Sequence, residues 1–295
     1  MSDPQEPKAE FTPFAKRSWT DLGPRVASAI VLLVGAIAGL YFGGYIFSAI
    51  VGAVFAGCYR EWERMVTLKP LTLLGSVLVG LVALSGLVYP AFGIWGSIVL
   101  LGIACAITFL EDRWVAAWRI GGIVWFGLIT AAVLQIRGES LWNVPGAFDW
   151  GFWGGFFMGT VIYATDTGAY LLGRQIGGEK LAPDISPGKT WSGAIGGLAV
   201  GTLAGLILWL IVVPASPWWI GLIIAVATSV LGQIGDLLES AIKRRFRVKD
   251  SGDIIPGHGG LMDRLDSTTF GALFLFAVGA LHLGTGAVAQ GFLGW

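Results

Sequence analysis

The sequence predicts an all-α polytopic membrane protein of about nine transmembrane helices, with the cytoplasmic loops forming the active site. Three observations predict it. The 295 residues are 55% hydrophobic but only 13% charged, where an ordinary soluble domain is about 25% charged. The apolar residues come in uncharged runs long enough to span a bilayer, about 20 residues each, and they lack the alternating polarity of a membrane β-barrel. The basic residues are confined to the segments between these runs, in a pattern that fixes a count and an orientation.

Taken in order, residues 1–25 form a polar tail whose Pro4, Pro7 and Pro13 disfavour a long helix. The tail has no short apolar core followed by a small-residue cleavage site, so it does not read as a signal peptide. Residues 26–149 form an N-terminal transmembrane region. Within it, 26–59 is too long for one span and should break at Gly43–Gly44. A charged connector follows at 60–69. The uncharged run 71–110 should break near Pro90 and Gly93. A second connector occupies 111–119, and 120–136 is one span. Residues 137–149 are a polar loop. Residues 150–295 form the catalytic region, with spans at 150–173, 191–213, 218–242 and 267–290. A loop at 174–190, the turn Pro214–Pro217 and the polar stretch 240–266 separate them.

Nine spans with a cytoplasmic N-terminus put 18 of the 19 Lys and Arg residues inside, leaving Arg137 as the exception. A miscount by one would send later basic loops to the wrong face. The loops 174–190 and 240–266 therefore share the cytoplasmic side. The 45 glycines suit close helix packing in a bilayer. Cys58 and Cys105 lie in apolar runs, so neither a disulfide framework nor a cysteine metal site is expected. No internal repeat is visible, which gives an inverted-repeat transporter no support. A transporter would also place its acids near the bilayer midplane, whereas here they cluster at the boundary.

The chemistry concentrates in SAIKRRFRVKDSGDIIPGHGGLMDRLD (240–266), with no charged residue in 191–235 before it or in 267–295 after it. Asp236, Glu239, Ser240 and Lys243 recur at helical spacing and should share one helix face. Asp263 and Asp266 sit together at the start of the last span. The glycine-rich turn between can bring Asp236 to Asp263. Paired carboxylates near phosphate-seeking cations are how proteins hold Mg²⁺; the alternative is that the acids, Asp250 and Asp253 among them, simply neutralise the basic cluster. Asp236 is the stronger functional candidate, because an acid at a span end is costly. Arg245 and Arg247 suit topology or anionic lipid contacts, while Lys243, Arg244 and Lys249 lie nearer the acids. His258 in the glycine turn suits either a turn-stabilising hydrogen bond or a phosphate contact. His282, alone in the last span, is given no role.

A second cluster spans 166–197. It holds Asp166 near a span end and the segment Ser186–Thr190 (SPGKT) before another span. The first glycine of a phosphate-binding loop is missing, since residue 183 is Pro. Ser186, Lys189 and Thr190 can still meet phosphate at a helix N-terminus, and Thr190 suits an N-cap.

These residues together resemble the phosphatidate cytidylyltransferase (CDP-diacylglycerol synthase) family. Its signature is filled without a gap by Ser240, Lys243, Arg244, Lys249, Asp250, Gly252, Ile255, Pro256, His258, Gly259, Gly260, Asp263, Arg264 and Asp266. The upstream GDLxES (Gly235–Ser240), DTGAY (Asp166–Tyr170) and SPxKTW (Ser186–Trp191) are similar too. Gly188 and Ser192 depart from the family, which often carries Lys and Glu there, so no cationic contact is expected from residue 188. The motifs cover the C-terminal half; the N-terminal spans match only in character. An acidic pattern of the CDP-alcohol phosphotransferase kind is not found.

The resemblance implies transfer of CMP from CTP to phosphatidic acid, giving CDP-diacylglycerol and pyrophosphate, with Mg²⁺ and a monovalent cation such as K⁺. It makes Asp236 and Asp263 metal ligands, with Asp236, Asp263, Lys243 and Asp266 catalytic. Asp166, Ser186, Lys189, Thr190, Ser240, Arg244, Lys249, Asp250, His258 and Arg264 become substrate-binding. It implies a homodimer in a bacterial-type inner membrane, with its site facing the cytoplasm and no nucleic-acid partner. The chemistry is coherent with this. A phosphate monoester, with second pKa about 6, is already an ionised nucleophile near neutrality. Metal and cations must then cancel the repulsion between two anionic reactants.

Overall fold

The computed structural model describes residues 22–109, 113–138, 148–252, 254 and 259–295. The N-terminal tail as far as residue 21, residues 139–147, Asp253 and His258 lie outside them. α1 (Leu22–Phe42) and α2 (Gly44–Thr67) separate at Gly43, whose φ of 58° is a region glycine enters without strain. The expected break at this glycine pair is present. α3 (Leu73–Leu87) and α4 (Tyr89–Thr108) divide the next run, and α4 kinks where Gly93 takes φ 60°. α5 (Arg113–Arg137) and α6 (Trp150–Ile176) follow. Asp149 caps α6 by accepting the Phe152 N–H at 2.8 Å, and it pairs with Arg137 at 3.1 Å.

α7 (Trp191–Val212) and α8 (Trp218–Arg245) form the next pair of helices. A 3₁₀ turn (Met262–Arg264) leads into α9 (Asp266–Leu283), and the short α10 (Val288–Leu293) ends the chain. Five described helices, α4, α5, α7, α8 and α9, are long and apolar enough to cross a membrane, and Ile30–Phe42 and Leu73–Leu87 are shorter apolar stretches. The chain is thus a largely helical, multi-pass membrane protein. α7 turns Ile195, Leu203, Ile207, Leu210 and Ile211 outward, as a helix facing lipid does.

The other side of α7 explains much of the glycine content. Gly193, Gly197, Gly201 and Gly205 recur every fourth residue and are buried. A Cβ at Gly197 would lie 2.6 Å from the Thr165 carbonyl oxygen, and one at Gly193 2.8 Å from that of Ala169. This small-residue stripe lets the α6 and α7 backbones approach closely. Asp166 on α6 and Lys189 just before α7 are thereby carried on one rigid pair.

Some expected boundaries shift. The connector at 60–69 is mostly helix, because α2 continues to Thr67. Its buried Phe55, Cys58, Tyr59, Trp62, Met65 and Val66 keep helical spacing through the charged residues. Likewise α5 starts at Arg113, inside the expected connector 111–119. The fold is not purely helical: β1 (Lys180–Ala182) and β2 (Ser186–Thr190) pair antiparallel where a loop was expected. The last span ends at Leu283 rather than Gln290, since Gly284 at φ 84° turns the chain. α10 folds back on α9, where His282 Nδ1 lies 2.7 Å from the Gly291 carbonyl oxygen and its ring stacks on Trp295.

Candidate active site

The last turns of α8 present Asp236, Glu239, Ser240 and Lys243 on one face, as their spacing predicts. The Ser240 hydroxyl donates to Asp236 Oδ1 at 3.5 Å, and Lys243 Nζ donates to Glu239 Oε1 at 3.2 Å. Lys243 is buried, and its nearest acceptor is Asp263 Oδ1 at 2.6 Å. A buried ammonium is tolerable only when paired in this way. Asp263 is further held by the Ser251 N–H, at 3.2 and 3.0 Å from its two oxygens, and by the Gly260 N–H at 3.1 Å. Burial acts to raise the Asp263 pKa, but the Lys243 hydrogen bond and charge, with the Ser251 amide, outweigh it. The carboxyl is held below its ordinary value.

Asp236 has a different lysine partner. Its Oδ2 pairs with Lys189 Nζ at 2.6 Å, both side chains being about a quarter exposed. The charge of Asp236 also acts on Asp166 and Asp266. The Ser267 hydroxyl lies 3.2 Å from Asp166 Oδ1 and 3.4 Å from Asp266 Oδ1. The Ser267 N–H donates to the same Asp266 oxygen at 2.7 Å. α8 approaches α9 here because Gly235 has no side chain: a Cβ there would lie 2.8 Å from the Asp266 carbonyl oxygen. The site thus has two halves joined through α8. One holds Asp166, Asp236, Asp266 and Lys189; the other holds Glu239, Lys243 and Asp263.

The hairpin delivers Lys189. β2 starts at Ser186, paired with Ala182, and ends at Thr190. Thr190 caps α7 as expected, its hydroxyl accepting the Gly193 N–H at 3.1 Å. Ser192, where the resemblance leads one to expect Glu, donates to the Gly177 carbonyl oxygen and so ties α7 to the end of α6. Gly188 is exposed and has open space around it. Arg244 donates to the Ile185 carbonyl oxygen at 3.2 Å and to that of Val248 at 2.9 Å, bracing the hairpin against the end of α8. Lys249, Asp250 and Arg264 are exposed on the segments beyond α8. His258 lies outside the described residues.

Mg²⁺ asks for one or two carboxylates, with waters and substrate phosphate oxygens completing its shell. The donor set fits that demand: hard carboxylate oxygens cluster at helix ends, and Asp236 remains partly open. Among the described residues no group of three or more His, Cys, Asp or Glu side chains is arranged to hold a metal unaided. Asp236 and Asp263 each contact a lysine, Lys189 and Lys243 respectively.

Two buried acids escaped the sequence reading. Glu61 on α2 is fully buried and accepts from Ser251 Oγ, Leu261 N and Met262 N at 2.8, 2.9 and 2.9 Å. Glu63 pairs with Arg119 of α5 at 2.6 Å. Both fell in the supposed connector; the apolar periodicity running through it was the available signal.

The model of the cytidylyltransferase family matches residues 23–282. A phosphatidate cytidylyltransferase of Brucella suis biovar 1 (strain 1330) is 34% identical over 267 residues, covering 89% of this chain and 94% of its own. One from Staphylococcus epidermidis (strain ATCC 35984) is 32% identical over 258 residues, covering 83% and 94%. One from Bacillus subtilis (strain 168) is 46% identical over a shorter 126 residues, covering 43% and 47%. The match takes in the N-terminal helices as well as the motif-bearing half, and on that extent the chain belongs to the cytidylyltransferase family.

Proposed function

We propose that the chain is a phosphatidate cytidylyltransferase, transferring CMP from CTP to phosphatidic acid to give CDP-diacylglycerol and pyrophosphate. The observation that carries the reading is the juxtaposition of Asp166, Asp236, Asp263 and Asp266 with Lys189 and Lys243 at the ends of membrane helices. Such a site can meet a water-soluble nucleotide and a lipid phosphate together.

In this reading a phosphate-monoester oxygen of phosphatidic acid attacks the α-phosphorus of CTP. The new P–O bond forms as the bond to the oxygen bridging the α- and β-phosphorus breaks, and the electron pair leaves on pyrophosphate. Little covalent chemistry falls to the protein in such a transfer; it positions the reactants and offsets charge. Lys189 and Lys243 carry the positive charge that phosphates seek. Asp236 and Asp263 aim those ammonium groups, and they are also the residues that would hold Mg²⁺. When bound, the metal would neutralise charge between the anionic reactants and polarise a phosphoryl oxygen. Thr190 and Ser186 position the start of α7, whose N-terminus favours anions.

The reading extends to a monovalent cation such as K⁺, to a homodimer, and to nine spans with the site on the cytoplasmic face of a bacterial-type inner membrane. The distribution of Lys and Arg supports the orientation. The test is direct. Purified protein in detergent–lipid micelles is given CTP, phosphatidic acid and Mg²⁺, and CDP-lipid and pyrophosphate are measured. Equimolar formation of both, dependent on each reactant, is expected; protein that stays folded yet forms neither overturns the reading.

A further inference from the structure

We infer that Glu61 is a positioning residue: it clamps the segment 259–264 to α2 and so sets the place of Asp263. Glu61 is 0% exposed, on a helix of the N-terminal half. Among the described residues no lysine or arginine pairs with it. Its carboxylate is instead satisfied by three donors from far along the chain: the Leu261 N–H on Oε1, and the Met262 N–H and Ser251 hydroxyl on Oε2. A buried carboxylate lacking these donors would be costly to keep ionised. Conversely, without the carboxylate the two backbone N–H groups at the entry to the 3₁₀ turn lose their acceptor.

Ser251 links the clamp to the site. Its hydroxyl bonds Glu61 while its N–H bonds both oxygens of Asp263. Gly260, next to Leu261, donates to Asp263 Oδ2. The two carboxylates therefore hold the same short segments together. The arrangement also accounts for two glycines of the signature. A Cβ at Gly252 would lie 2.6 Å from Glu61 Oε1, and one at Gly260 would lie 2.8 Å from both Glu61 Oε2 and Asp263 Oδ2. Leu261 seats beside Gly57, one helical turn before Glu61, where an added Cβ would come within 2.7 Å of Leu261 Cδ2. Glu63, two residues on, makes its own buried pair with Arg119 and touches none of this. It is the natural comparator.

The catalytic part of this inference rests on the proposed function; the clamp itself does not. The experiment reads both. Full-length wild type, Glu61→Gln, Ser251→Ala and Glu63→Gln are compared by hydrogen exchange over 259–264 and by kcat and KM for CTP. Glu61→Gln keeps the volume but turns an amide N–H₂ toward donors. It should speed exchange at Leu261 and Met262 and lower kcat about tenfold or more, the usual cost of losing a supporting contact, with a smaller change in KM. Ser251→Ala, a milder change should Glu61→Gln fold poorly, should move both readouts in the same direction. Glu63→Gln should lower thermal stability without faster exchange at 259–264. In an Asp263→Asn background Glu61→Gln should cost little more, since it acts through Asp263. Unchanged exchange in both Glu61→Gln and Ser251→Ala, or fully additive losses with Asp263→Asn, overturns the inference. Should the wild type make no CDP-lipid while Glu61→Gln still loosens the segment, the clamp stands and the proposed function falls.

Discussion

Asp236 and Asp263 each meet a lysine at 2.6 Å, but they are embedded differently. Asp236 and its partner Lys189 are partly open, so Asp236→Asn should leave folding nearly untouched. Asp263 anchors a buried lysine and accepts two backbone N–H groups. Asp263→Asn turns a donor toward donors and should cost about 1–3 kcal/mol of stability. Turnover of either variant, measured on folded protein, should fall by about two orders of magnitude, as when a principal electrostatic stabiliser is lost. Near-wild-type turnover with an unchanged Mg²⁺ requirement would remove that residue from the proposed metal site. The depressed pKa of Asp263 adds a pH test. A carboxyl held below its unfolded value of about 3.9 contributes stability above that value and loses it as pH falls through the native one. The difference in melting temperature between wild type and Asp263→Asn should thus be flat from neutrality to about pH 5 and shift against the wild type below it. A difference that moves in the wild type's favour on acidification would contradict the assignment.

At the scale of elements, the last turn of α8 sends three cations in three directions. Lys243 goes inward to Glu239 and Asp263, Arg244 goes to the hairpin, and Arg245 stacks over Trp114 at 5.6 Å. Removing one member of a buried ion pair costs about 3–5 kcal/mol, whereas an exposed cation–π contact is worth about 0.5–1 kcal/mol. Lys243→Ala should therefore damage turnover most, Arg244→Ala should weaken use of CTP by loosening the hairpin that carries Lys189, and Arg245→Ala should do little. Equal kinetic defects across the three would reduce the cluster to diffuse charge. The α6–α7 pair gives a second prediction. Gly197→Leu has no room against Thr165 and should destabilise by at least about 1–3 kcal/mol, read as a lower melting temperature in detergent. Most helices were legible because uncharged runs and glycine breaks are local signals, and the face carrying Asp236 to Lys243 follows from periodicity alone. The hairpin at 180–190 was not legible, being short, polar and without alternation. Nor was the role of Glu61: its donors lie 190 to 201 residues away in the chain, and only the fold brings them together. The pairing of Asp236 with Lys189 was hidden for the same reason.

For the whole molecule, contacts between distant loops constrain the topology without reference to a membrane. Glu61, near the end of α2, bonds residues that follow α8, and Arg244 at the end of α8 bonds the hairpin that follows α6. The ends of α2, α6 and α8 therefore lie on one face. An even number of crossings must separate α2 from α6 and α6 from α8, as a count of nine spans requires. Arg137, at the end of α5, should then be on the opposite face. There it is buried against Asp149 and the Leu40 carbonyl oxygen, and it presents little free charge to set orientation. In the proposed nine-span arrangement the remaining Lys and Arg residues fall on the side of the site, which the positive-inside rule would make cytoplasmic. The expected result is a cytoplasmic N-terminus and, after α9, a C-terminus on the periplasmic side. α10 does not alter this, because it folds back against α9 beyond Gly284 instead of extending it. Reporter fusions at each terminus, paired with accessibility of single cysteines placed at Lys180 and Trp218 in a background lacking Cys58 and Cys105, would read all four positions. Labelling from the cytoplasmic side is expected at 180 and not at 218. Both termini on one side would mean that an odd number of helices fail to cross, and cytoplasmic labelling at 218 would place that failure in α7.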